Sequence, residues 1–173
     1  MNKIIETKFT KEELQENIEH LEDPASYTRR RARWDLVLAG AESIPMLEEV
    51  VRHNESVLAR KEAVKALGEI QDPLAVPILV SALEDHSYDV RWDAAVGLIE
   101  HCEDSLIPLF EALKTDFGSP VLREGAHHVL RVLRKKMANQ QVEEVYAALE
   151  SSAPAVRLPW AVNRALEELY AVA

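Results

Sequence analysis

The sequence predicts an all-α array of stacked helical hairpins, and three observations carry that expectation. Apolar residues recur at helical spacing, as in Leu14, Ile18 and Leu21 or Leu79 and Leu83. Short Asp, Pro, Asn and Ser punctuation separates these stretches. Glycine is scarce, 5 residues in 173, which disfavours strand-turn-strand architectures and phosphate-cradling loops, and neither GxxxxGK[ST] nor GxGxxG occurs. The third observation is a repeat. Arg60-Lys-Glu-Ala63-Val-Lys-Ala-Leu67, followed by Pro77-Ile-Leu79, returns as Arg91-Trp-Asp-Ala94-Ala-Val-Gly-Leu98, followed by Pro108-Leu109, a step of 31 residues.

The register extends both ways. Arg29, Ala32 and Leu36 continue it backward by the same step, and Arg123, Ala126 and Leu130 continue it forward with one inserted residue. Five hairpins follow, roughly at 10–41, 43–71, 73–102, 104–135 and 139–171, in a single domain over 1–173. The first helix of hairpins two to four carries an early proline (Pro45, Pro77, Pro108), tolerated where helix N–H groups lack partners. The second opens near the arginine. Thr10-Lys-Glu-Glu13 has the signature of a capping box, and Asp23-Pro24 divides the first hairpin. At the far end the register degenerates: Val156-Arg157 begins a copy, but Pro159 and Trp160 occupy its first turns. A terminal hairpin with one face toward water is expected to be atypical, and Trp160 is expected in the core of that cap.

One hairpin cannot bury its apolar side alone, so neighbours must stack. Ala32, Ala63, Ala94 and Ala126 allow close approach, and Leu36, Leu67, Leu98 and Leu130, one turn later, fill the layer between helices. A polar ladder shares the register. Asp23, Asn54, Asp85 and Ser151 stand six residues before Arg29, Arg60, Arg91 and Arg157, and Asp116 stands seven before Arg123. Such a side chain in the inter-helix turn can cap free N–H groups and accept from the arginine. Its repetition points to structure rather than catalysis.

The stretch Asp72-Pro73-Leu-Ala75-Val76-Pro77-Ile-Leu79-Val-Ser-Ala82-Leu83, followed by Val90-Arg91-Trp-Asp-Ala94-Ala95-Val-Gly-Leu98, resembles HEAT repeats of the phycobilisome-lyase-like class. The likeness runs from about residue 10 to the end, strongest in the middle units. It implies a right-handed α-solenoid whose second helices line the concave face. It implies less about activity, because the class spans scaffolds, chromophore lyases and a few enzymes.

With second helices facing inward, a groove of mixed charge is expected from Arg30, Arg31, Trp34 and Leu38, then Lys61, Glu62, Lys65 and Glu69, then Trp92, Asp93, Val96 and Glu100, then Glu124, Gly125, His128 and Val132. Its basic end and more acidic far end could orient a protein or peptide. Trp34 and Trp92 stand where sister units hold Lys65, Val96, His128, Lys61 or Glu124. They read either as partner anchors or as rings packed over the next helix.

Enzymatic chemistry finds no foothold in the residues. The six histidines (His20, His53, His86, His101, His127, His128) form no i,i+3 or i,i+4 ligand pair. His101 takes a position held by Ile70 and Leu133 in sister units, which suits a satisfied, partly buried ring. Cys102 is the one cysteine and has no third group to activate it, so no disulfide, catalytic residue, metal or cofactor is expected. The net charge of −10, from 30 acidic and 20 basic side chains, disfavours nucleic acid. The run Arg29-Arg-Arg31-Ala-Arg33 is diluted by Glu22, Asp23 and Asp35 and reads as a solvated helix face. No run of apolar residues reaches membrane-spanning length, and MNKIIETKFTKEELQ lacks the features of a signal peptide, so a cytoplasmic location is expected. The leading expectation is a non-catalytic interaction scaffold. The resemblance leaves open a lyase-type or chaperone subunit handling a tetrapyrrole, and a HEAT-like DNA-repair glycosylase, which would need a basic groove.

Overall fold

A computed structural model describes residues 9–171. Among them the chain forms α-helices α1 (Lys11–Glu19), α2 (Ser26–Ala39), α3 (Ile44–His53), α4 (Val57–Glu69), α5 (Val76–Ala82), α6 (Tyr88–His101), α7 (Leu106–Thr115), α8 (Pro120–Lys136), α9 (Gln140–Leu149) and α10 (Pro154–Tyr170), with short 3-10 turns between some of them and no strand. The architecture is an all-α solenoid. At its start the Thr10 hydroxyl accepts from the Glu13 N–H at 3.1 Å, and the Glu13 carboxylate accepts from the Thr10 N–H at 2.7 Å. This reciprocal cap satisfies two N–H groups that the first turn leaves without partners.

The second helices α2, α4, α6 and α8 pack on one another in sequence, and more closely than the first helices α1, α3, α5 and α7 do. The array therefore bends toward its second helices, which occupy the inner face. Ala32, Ala63, Ala94, Ala126 and the leucines one turn later (Leu36, Leu67, Leu98, Leu130) are all buried in the layer between helices. α4 and α6 also approach closely where Gly68 meets Gly97.

Two of the links between hairpins share one design. Gly40–Ser43 and Cys102–Ser105 are 3-10 turns, each opening on positive φ (+60° at Gly40, +49° at Cys102) and closing on a fully buried serine. Ser43 Oγ donates to the Leu36 and Gly40 carbonyls, both at 2.8 Å, and Ser105 Oγ to the Cys102 carbonyl at 2.6 Å. The serines so engage carbonyls that the helix ends leave free.

The fifth hairpin breaks the stacking order. Its first helix, α9, packs on α8, and its second helix, α10, packs on α9 and α7. Arg134 of α8 pairs with Glu143 of α9 at 2.8 Å, and Tyr170 of α10 donates to Glu111 of α7 at 3.1 Å. The pair thus closes the end of the solenoid with its two helices exchanged between layers. Trp160 is corrected accordingly. It is 64% exposed, because α10 buries Leu158, Ala161, Val162, Ala165 and Leu166, and Trp160 lies outside that arc beneath the Arg164 guanidinium.

Candidate functional site

Each repeat arginine occupies the fourth residue of its second helix, as Arg29 in α2, Arg60 in α4, Arg91 in α6 and Arg123 in α8. Because side chains on a helix lean toward its N-terminus, the guanidinium reaches back over the preceding turn. Arg29 Nη1 donates to the Asp23 and Pro24 carbonyls at 2.6 and 2.9 Å, Arg60 Nη1 to those of Asn54 and Glu55 at 2.8 and 3.1 Å, and Arg91 Nη1 to those of Asp85 and His86 at 2.9 and 3.3 Å. The acceptor six residues earlier is thus the main chain. The side chains of Asp23, Asn54 and Asp85 instead accept from the N–H two residues on, at Ala25, Ser56 and Ser87, and Asp116 accepts from Ser119.

A side chain joins the ladder between units once. Arg60 reaches the next turn and grips Asp85 with both Nε and Nη2, at 2.7 and 3.0 Å. The flanking units lack the geometry or the charge. Asn54 is neutral, and Arg29 lies 3.9 Å from Glu62 instead. The Arg123 side chain makes no hydrogen bond or ion pair among the described residues, and Arg157 is exposed.

The groove positions divide by register. Residues two after the arginine face the preceding unit. Glu62 is 6% exposed and bonded by Arg33 of α2, Asp93 lies 3.7 Å from Lys65 of α4, and a Cβ on Gly125 would stand 3.0 Å from Leu83. Burial raises the Asp93 carboxyl above its ordinary value, and the nearby lysines offset it only in part. Arg31 pairs instead with Asp35, one turn along its own helix, at 2.9 Å. Glu62 and Asp93 are therefore inter-helix ties and not open groove residues.

Residues one and five after the arginine form the inner surface: Arg30 and Trp34, Lys61 and Lys65, Trp92 and Val96, Glu124 and His128. Trp34 is 55% exposed and Trp92 45%. Leu38, Tyr88 and Val96 add exposed apolar area. The lysines between them are engaged, Lys61 with Asp89 at 2.8 Å and Lys65 with Asp93 and Glu62 at 3.7 Å. Arg33 ties Glu69 at 3.2 Å, and Lys136 ties Glu100 at 3.7 Å, which dilutes the acid expected at the far end. Val132, also expected in the groove, is half-buried and packs against the core.

A recess of about 320 Å³ on this face lies between α6 and α8. Leu83 and Gly125 are among its lining residues, Trp92 and His128 stand 4.6 Å apart centroid to centroid, and Tyr88 lies 6.4 Å from Trp92. Burial, then the charges of Arg131 and His127, hold the His128 imidazole below its ordinary value, which favours the neutral ring. Its Nδ1 lies 3.2 Å from Arg131 Nη2 and so accepts from it. Among the described residues no group of three or more His, Cys, Asp or Glu could hold a metal ion, and no helix is long and apolar enough to cross a membrane. His101 is buried and donates from Nε2 to the Leu67 carbonyl at 3.2 Å.

The family model for HEAT repeats matches residues 14–99 and, in a second register, 44–131. The chain belongs to the HEAT-repeat family. The matched span covers α1 to α8 nearly in full, the helices that stack in regular order, and stops before the inverted closing pair. No curated protein matches the sequence. Sequence reasoning missed Arg131, which follows Arg123 by two helical turns and has no equivalent in the sister units, and Tyr88, which only the helix start brings beside Trp92.

Proposed function

We propose that this HEAT-repeat chain is a non-catalytic scaffold that binds a protein or peptide partner on its second-helix face. One observation carries the reading. Trp34 of α2 and Tyr88, Trp92 and Val96 of α6 stay exposed on the surface that the second helices share. Exposed aromatic side chains gathered on one face are costly to leave in water and mark binding sites more often than they mark packing. The pairing of Lys61 and Lys65 with carboxylates supports the same reading against nucleic acid, since it leaves few cations free for phosphates.

The test is capture from a lysate of the source at moderate salt, comparing wild type with the double variant Trp34→Ala, Trp92→Ala. A single protein retained by wild type and lost from a variant of unchanged helical signal is expected. Equal retention by both overturns the proposal.

A further inference from the structure

Resting on that reading, we infer that the recess between α6 and α8 receives an acidic linear peptide, with an aromatic side chain seated on Trp92 and His128 and a neighbouring carboxylate held between Arg91 and Arg131. The charge pattern is what points to it. Arg29, Arg31, Arg33, Arg52, Arg60, Arg134 and Arg164 all lie within ion-pair distance of carboxylates. Arg30, Arg91, Arg123, Arg131 and Arg157 have no carboxylate partner among the described residues, and of these Arg91 and Arg131 line this recess together.

Each is nevertheless held in place by neutral groups. Arg91 is fixed by the Asp85 and His86 carbonyls and lies 5.5 Å over the Tyr88 ring, and Arg131 bonds the His128 ring. Neutral acceptors orient a guanidinium without cancelling its charge, so both donors are prepared for an anion at little entropic cost. In a chain of net charge −10, two such guanidiniums brought to one recess set it apart.

The size and charge of the recess narrow the occupant. About 320 Å³ lies at the small end of ligand pockets, enough for one side chain. Trp92 and His128 give it an aromatic wall suited to another ring. Glu124 also lines it and His127 is paired with Glu150, so two guanidiniums against the Glu124 carboxylate leave a local charge of about +1. That balance matches a single carboxylate and disfavours a phosphate dianion or a polyphosphate backbone.

The experiment selects a displayed library of random linear peptides on the full chain and then titrates the consensus peptide. Selection is expected to converge on an aromatic residue beside Asp or Glu. Arg131 is exposed, so Arg131→Glu should keep the wild-type melting temperature while weakening the consensus peptide at least about tenfold, as loss of a charge-assisted hydrogen bond does. No convergence, convergence on basic peptides, or an affinity indifferent to Arg131→Glu overturns the inference. Tighter binding of a peptide carrying phosphate in place of the carboxylate overturns it too. A lysate partner lost with Trp92→Ala but untouched by Arg131→Glu would leave the scaffold reading standing and sink this one alone.

Discussion

A Cβ built on Gly68 would stand 2.8 Å from the Cα of Gly97, closer than any relaxed side chain tolerates. The helices α4 and α6 therefore cross backbone to backbone, and this contact helps draw the second helices together on the inner face. Gly68→Ala would gain about 1 kcal/mol of helix propensity at an ordinary site. Here overpacking should cost about 1–3 kcal/mol and dominate. Urea denaturation should show a lower midpoint at unchanged slope; a higher one would refute the close crossing.

Arg60 and Asp85 form the one side-chain ion pair of the ladder, each largely buried. Burial raises the Asp85 carboxyl, but the Arg60 hydrogen bonds, the Ser87 N–H and nearby charge outweigh it and hold the group below its ordinary 3.8. A carboxyl depressed on folding stabilises above its unfolded value, and that contribution is lost as pH falls through the folded one. Asp85→Asn keeps the turn cap, as Asn54 does in the preceding unit, yet loses the charge. It should cost about 1–3 kcal/mol at pH 7. The difference from wild type should shrink as pH drops below 3.8. Asp85→Ala, which also removes the cap, should cost more. Equal losses at pH 7 and pH 3 for Asp85→Asn would deny the pair its role.

Cys102 adopts φ +49° where the matching turn places Gly40. An L side chain there is strained by about 1–3 kcal/mol, against which glycine costs unfolded-state entropy and the sulfur's packing. Cys102→Gly should raise stability by about 0.5–1 kcal/mol. A drop in melting temperature would show that the half-buried sulfur matters more than the backbone.

Trp160 lies outside the buried arc of α10. Trp160→Ala should change stability by less than about 1 kcal/mol, against the 3–5 kcal/mol typical of a core tryptophan. A core-sized loss would return the ring to the terminal cap.

Much of the fold was legible because the period fixes which residues meet. Ala63 and Leu67, matched by Ala94 and Leu98, declare a stacked layer without any coordinates. What the period could not reveal was which atom accepts. The six-residue spacing before each arginine reads the same whether a side chain or a carbonyl takes the hydrogen bond, and the carbonyl takes it. Nor does the period fix the lateral offset of neighbouring helices, which aims Glu62 back at Arg33 instead of into the groove. The inversion of α9 and α10 depends on how two packing surfaces compete, α10 against α7 and α9 against α8, which the repeat period does not encode. On the inner face, Trp34 and Trp92 were visible as misfits among charged sister positions. Tyr88 and Arg131 fell outside the repeated positions: Tyr88 joins the site because α6 begins one turn before Trp92, and Arg131 through the packing of α6 on α8.

The three tryptophans allow the account to be tested with its control built in. Hydroxyl-radical footprinting of the chain, free and bound to its captured partner, reads the exposure of each indole. The account predicts that the partner shields Trp92, and Trp34 with it, while Trp160 on the closing pair stays as reactive as in the free chain. Unchanged reactivity at Trp92, or protection confined to Trp160, would contradict the claim that the second-helix face is where this HEAT-repeat protein binds.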